Sequence, residues 1–291
     1  MKKTWKSALG ILLVSATLLW NHWTENELQV VSYEISAPIS SPIRIVHLSD
    51  LHSWQFGEDN GELAELVAAQ SPDLILMTGD MLDETDTDAR VACALIRKLT
   101  ETAPVYYGYG NHEKAWEREN GKSLAPELTE AGAVVLDCTY TDIEVNDQLL
   151  RLGGYHAYYR RPHMSTDDPE QMEQETAFFE AFEDTDRYKI LLSHNPTAWL
   201  DWELMDDFPV NLVLTGHYHG GQVRLPFVGG LMAPYVGWFP EFTEGMYAGD
   251  QATVILSTGL GSSPGIPRVN NPPQIVVVDI LPEETFLNNT K

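Results

Sequence analysis

The chain has 291 residues, 43% hydrophobic and 21% charged, enough to bury a large core in one big domain or two small ones. Its formal charge of −25 argues against nucleic acid as a partner, because a phosphate backbone is bound through Lys and Arg. Cys93 and Cys138 lie far apart without a C-x-x-C, which excludes a disulfide scaffold and a thiolate zinc site; they are expected as free thiols, or as a pair if the domain is exported.

Residues 1–27 are expected to form a signal anchor. Lys2, Lys3 and Lys6 precede an uncharged apolar run from Ala8 to Trp20, the pattern of a targeting segment. The run is shorter than the roughly 20 residues of a full span. No A-x-A cleavage site follows, so an uncleaved anchor is expected, and the absence of charge in the run argues against an amphipathic first helix. The basic end would then stay cytoplasmic, and the acidic domain would lie on the extracytoplasmic side of the cell membrane.

Leu28 to Ile35 alternates with period two, as an edge strand does. After Pro42 come short apolar runs at Ile43–Leu48, Leu74–Met77, Val105–Tyr107, Leu149–Leu152, Lys189–Leu192, Val210–Leu214, Val254–Leu256 and Ile275–Ile280. Runs this short and this rich in β-branched residues describe buried strands. Helical stretches lie between them, at Glu62–Gln70, Thr87–Thr100, Pro126–Ala131 and Pro169–Phe182. The alternation predicts an α/β layered domain over 28–285, with 286–291 as a tail.

The residues after the apolar runs carry the chemistry. Asp50 and His52 follow the first run, Gly79-Asp80 the second, Gly110-Asn111-His112-Glu113 the third, His194 the fifth and Gly216-His217-Tyr218-His219 the sixth. Ligand crevices in open α/β sheets form at that strand edge. Carboxylate, carboxamide and imidazole are donors for Zn, Mn or Fe. Asp50 and His52, like His217 and His219, are two apart and on an extended segment would point to one face. Asp80 can bridge two ions roughly 3.5–4 Å apart. Glycines before Asp80, Asn111 and His217 permit tight turns and close approach. His22, His47, His156 and His163 are expected as ordinary surface or core histidines.

These blocks resemble the calcineurin-like metallophosphoesterase superfamily, whose pattern is D-x-H, G-D-x-x-D, G-N-H-[DE], a lone His and G-H-x-H. Asp50-Leu51-His52, Gly79-Asp80-Met81-Leu82-Asp83, Gly110 to Glu113, His194 and Gly216 to His219 match it in order. The stretch Gly216 to Gln222 is similar to the G-H-T-H-G-G-Q of membrane-associated bacterial phosphodiesterases, with Tyr218 in place of Thr.

The resemblance implies a four-layer αββα sandwich of two mixed sheets flanked by helices, and two divalent ions. One ion would take Asp50, His52, Asp80 and His219; the other would take Asp80, Asn111, His194 and His217. A hydroxide bridging them would attack phosphorus. His112 is expected as general acid, and Asp83 as the carboxylate that orients it. Arg268, in the Gly- and Pro-rich loop 259–268, is a candidate phosphate contact. Glu84 and Thr85 stand where protein phosphatases of the family carry Arg and Gly, which argues against that activity.

The expected substrate is a phosphodiester or pyrophosphate of an envelope lipid or nucleotide-linked lipid. Trp54, Phe56, Trp116, Trp238 and Phe239 are candidates to touch its apolar part. The alternatives are a phosphomonoesterase with the same site and a non-catalytic metal-binding envelope protein.

Overall fold

The structure, a computed structural model, describes residues 27–156, 168–262 and 267–283. One six-stranded sheet runs in the order β1 (Gln29–Ala37), β16 (Gln274–Pro282), β2 (Ile43–Leu48), β3 (Leu74–Met77), β4 (Val105–Gly108), β5 (Val134–Leu136). It is mixed: β1 is parallel to β16, β16 is antiparallel to β2, and β2 through β5 are parallel. The second six-stranded sheet runs β14 (Gly245–Ala248), β15 (Thr253–Leu256), β9 (Leu212–Thr215), β8 (Tyr188–Ser193), β7 (Gln148–Tyr155), β6 (Thr139–Val145). Its four inner strands are parallel and its two edge strands antiparallel.

Side-chain parity divides the core into layers. Ile43 and Ile45 of β2, Leu74 and Leu76 of β3, Ile190 and Leu192 of β8, and Leu212 and Leu214 of β9 pack between the sheets. Val46, Leu48, Ile75 and Met77 face outward onto α1 (Gly61–Ala68), α2 (Arg90–Leu99), α3 (Asn111–Asn120) and α4 (Ala125–Glu130). Leu191, Val213 and Val254 face the other way, onto α5 (Pro169–Glu183) and α6 (Thr197–Leu200). The expected two mixed sheets flanked by helices are therefore present. Inner strands buried on both faces read as continuous apolar runs, which is why they stand out in the sequence.

Three elements lack that signature. α3 spells NHEKAWEREN and buries only Glu113, Ala115 and Trp116. β5 is a three-residue edge strand, and β6 is charged and half-exposed. Trp116 and Phe56, expected near substrate, are core residues.

The expectation of a membrane anchor is corrected. No helix among the described residues is long and apolar enough to cross a membrane. The segment that carried the expectation, residues 1–26, lies outside the described residues, as do the tail 286–291, His22 and His163.

Register brings the strand ends level. Leu48 pairs with Met77 and Met77 with Tyr107; in the other sheet Leu192 pairs with Leu214. The five loops that follow these strands thus start from one edge of the sandwich.

Candidate metal centre

The loops are laced together by backbone hydrogen bonds. Asp50 N–H donates to the Gly79 carbonyl, His52 N–H to that of Asp80, and Gly216 N–H to that of His194, at 2.9–3.0 Å. Bonds between the loops of the two sheets include that of the His217 amide, which donates to the Asp50 carboxylate at 3.0 Å. A Cβ on Gly79 would overlap the Gly110 backbone, and one on Gly216 would overlap Asp50 and Ser49, so these glycines are required by close approach.

Asp50 (φ 55), His52 (φ 48), Asp80 (φ 53), His217 (φ 70) and His219 (φ 48) all adopt left-handed backbone, which is uncommon outside glycine and clusters at functional sites. The expected extended geometry of Asp50-x-His52 and His217-x-His219 is thereby corrected. Their side chains converge because each turn is left-handed.

Three groups of side chains bring one donor atom each within 4.8 Å of one another: Asp50, His52 and His219; His52, Asp80 and His112; and Asp80, His194 and His217. All but the half-buried His112 are buried. Asp80 Oδ1 accepts the His112 amide at 2.8 Å, while its Oδ2 lies 3.0 Å from His194 Nε2 and 3.9 Å from His52 Nε2. His194 Nδ1–H donates to the Thr78 carbonyl at 2.8 Å, which turns its Nε2 inward. His52 Nδ1–H donates to Asp83 at 2.6 Å with the same result. His52 Nε2, Asn111 Oδ1 and His217 Nε2 are buried without a hydrogen-bond partner. Buried polar atoms left without a partner carry a desolvation cost that a bound cation can relieve.

The electrostatics agree with this. Burial disfavours charge on His194, but Asp80's charge and hydrogen bond outweigh it and push the imidazole up to about 9. Burial likewise works against ionised Asp80, yet His194 holds it well below the usual carboxylate range. Burial and the charge of His194 bring His217 down to about 3. Burial, with His52 and Arg268, holds His219 well below the ordinary imidazole value. Without metal, the centre therefore keeps positive charge on His194, between the two aspartates. It keeps neutral, lone-pair-bearing rings at His217 and His219.

Two expected roles meet different geometry. Asp83 hydrogen-bonds to His52 at 2.6 Å, and the same oxygen stands 3.8 Å from His112 Nδ1, which also lies 3.3 Å from the Glu84 amide; Asp83 thus serves two imidazoles, His52 more closely. Arg268 is buried, with Nε, Nη1 and Nη2 donating to the carbonyls of Asn271, Gly261 and Thr258. The expected phosphate contact is replaced by a pin that holds its own loop. His47 is a core residue, bonded to Thr78 at 2.8 Å, and burial lowers it to about 3. Tyr218 is buried, its hydroxyl bonded to Thr197 and Asp201 at 2.7 Å, so its difference from Thr does not reach the centre.

Glu113 was legible only as a letter in the G-N-H-E block. Its carboxylate accepts the amides of Asp80, Met81 and Gly110 and the Tyr107 hydroxyl, at 2.6–2.9 Å. As the third residue of α3 it closes a capping box on Gly110, and it also clamps the Asp80 turn to that helix. The signal that can find it is a Glu three residues after a helix-capping Gly. Glu113→Gln turns an NH2 toward these donors, and we expect a loss of roughly 2–4 kcal/mol in denaturant unfolding of the metal-free protein. Stability unchanged within about 0.5 kcal/mol would remove the clamp from the account.

Comparison with known proteins adds ancestry to this geometry. The profile of the family described as calcineurin-like phosphoesterase matches residues 43–221. The chain is similar to the phosphodiesterase YaeI of Escherichia coli (strain K12), 27% identical over 248 residues that cover 83% of each chain. It is also similar to the uncharacterized metallophosphoesterase YkuE of Bacillus subtilis (strain 168), 30% identical over 223 residues, covering 75% of this chain and 72% of that one. Among solved structures, a 5'-nucleotidase precursor from Thermus thermophilus aligns with a TM-score of 0.45 at 15% identity, over 85% of this chain and 57% of that one.

Proposed function

The chain belongs to the calcineurin-like phosphoesterase family and is a phosphoric ester hydrolase, and from that premise we propose that it cleaves phosphodiesters at a dinuclear centre. Asp50, His52, Asp80 and His219 would hold one divalent ion; Asp80, Asn111, His194 and His217 would hold the other. The reading is carried by one observation: donor atoms from five loops assemble in three overlapping groups, each within 4.8 Å, and the buried His52 Nε2 among them has no hydrogen-bond partner. The donor set of imidazole, carboxylate and carboxamide fits Mn, Fe or Zn. Bound there, the ions would supply Lewis-acid stabilisation of the phosphoryl oxygens and a water that ionises near neutral pH.

The chain's own residues do the rest. Second bonds to Thr78 and Asp83 fix the ring orientations of His194 and His52, so that Nε2 of each would offer its lone pair once an ion displaces any proton there. Asp83 thus acts mainly through His52. His112 Nε2 lies 3.9 Å from Asp80 Oδ2, and its Nδ1 lies 3.8 Å from the carboxylates of Asp83 and Glu84, so an imidazolium there would have a proton on Nε2 to give and negative charge beside Nδ1 to support it. We assign His112 to protonate the leaving oxygen. Arg268 acts by holding its own loop through the carbonyls of Asn271, Gly261 and Thr258.

A diester is favoured because a relative similar over 83% of the chain is named a phosphodiesterase. Chelation followed by dialysis is expected to lower hydrolysis of bis-p-nitrophenyl phosphate at least ~100-fold, and Mn should restore it. Undiminished turnover by the chelated protein would refute the metal assignment. Faster turnover of p-nitrophenyl phosphate than of the diester would make the chain a monoesterase.

A further inference from the structure

The stretch Leu225–Pro240 carries no charged side chain, in a chain whose formal charge is −25. It folds as two short antiparallel ladders, β10 (Arg224–Leu225) with β11 (Gly229–Gly230) and β12 (Met232–Ala233) with β13 (Gly237–Trp238). These ladders turn aromatic rings to solvent: Phe227, Tyr235 at 77%, Trp238 at 71% and Phe239 at 61%. Single exposed apolar residues are ordinary, but several together on one uncharged element mark a binding surface. Phe227 (φ 66), Tyr235 (φ 62) and Phe239 (φ 56) also adopt left-handed backbone, a strained state for a bulky residue and one that core packing does not require of exposed rings.

The element is fastened to the metal loop. Leu231 N–H donates to the Gly221 carbonyl at 3.1 Å, two residues beyond His219, and a Cβ on Gly221 would overlap Gly230. Tyr235, at the tip between β12 and β13, lies nearly parallel to the ring of His217, 5.4 Å between centroids at 16°. His217 is 3% exposed and Tyr235 mostly exposed, so the tyrosine rests on the buried imidazole and leaves the rest of its surface open beside the centre.

We propose that Tyr235, with Trp238 and Phe239 beside it, forms a subsite for an apolar ester group of the substrate, an inference that takes its phosphate-bearing ligand from the phosphoesterase reading of the centre. An apolar group attached to a phosphorus held at the centre meets aromatic rings of a stretch, Leu225–Pro240, that itself carries no carboxylate to repel the phosphoryl charge. Tyr235 is then a specificity-determining residue that selects by the second ester group.

Binding separates this from catalysis. The Mn-reconstituted protein is titrated calorimetrically with phenylphosphonate and with methylphosphonate, and metal content is measured in every sample. The wild type is expected to bind the phenyl compound about 10-fold more tightly. Tyr235→Ala should bring the ratio to within about 2-fold at unchanged metal content, and Tyr235→Phe should keep it. Equal binding of the two phosphonates by the wild type, binding of neither, or a ratio that survives Tyr235→Ala would overturn the proposal. So would a dimer, seen by sedimentation, that covers these rings and shows no phenyl preference. If the preference holds but no phosphate ester is turned over, the phosphoesterase reading fails and the apolar subsite stands.

Discussion

Asp80→Asn is expected to remove metal and activity together. Asp80 belongs to two of the three close donor groups, and its two oxygens serve different partners. Oδ1 accepts the His112 amide at 2.8 Å, and Oδ2 lies 3.0 Å from His194 Nε2. Asparagine keeps the shape and can still accept the His112 amide. It loses the negative charge, and its NH2 then points at the His194 lone pair that a metal would use. Metal content should fall from about two ions per chain to one or fewer, and diester turnover by at least about a thousand-fold, roughly 4 kcal/mol of transition-state stabilisation. Metal-free stability should change little, because the substitution removes a buried charge whose partner, His194, can become neutral. Mass spectrometry for metals, turnover and thermal unfolding on one preparation test all three. A variant with full metal content and near-normal turnover would show that Asp80 is not shared between the ions.

His112→Gln is expected to dissociate activity from metal. Its side chain is half-buried, with Nε2 facing Asp80 and Nδ1 beside the Asp83 and Glu84 carboxylates. Glutamine cannot deliver a proton to a leaving oxygen, and a general acid contributes on the order of 10²–10⁴ in rate. The loss should depend on the leaving group. An alkyl alkoxide needs the proton and should suffer the full decrease. A p-nitrophenolate leaves unaided and should suffer much less. Metal content should match the wild type. Equal losses for both esters, or lost metal, would instead make His112 a structural or ligating residue. Its place in a close donor group with His52 and Asp80 makes that outcome a real competitor.

Much of this centre was legible before any fold was known. The inner strands were readable because both faces are buried, so Ile43–Leu48 and Leu74–Met77 carry almost no polar interruption. The residues that end those strands were readable because nothing in a core explains Asp, Asn and His at five strand ends. α3 was not readable: its sequence is charged, and it stands because Gly110 and Glu113 cap it while Trp116 anchors it. Second partners were beyond reach for another reason. Asp83 lies 31 residues from His52 and 29 from His112 in sequence, and only the packed loops determine that the hydrogen bond goes to His52. Arg268 looked like a phosphate contact because a loop arginine normally reaches solvent, and only the fold wraps its own carbonyls around it.

By itself, then, the order of residues determined an α/β layered domain, the strand edge that bears the chemistry, and the candidate donors, since these follow from local periodicity and from what buried polar groups require; the two-sheet sandwich came only with the family resemblance. The tertiary structure decided the left-handed turns that make the donors converge, the partner of each imidazole, and the seating of Tyr235 on His217. Those depend on contacts between loops that lie apart in the chain, and such a contact has no period or spacing along the sequence by which to be read.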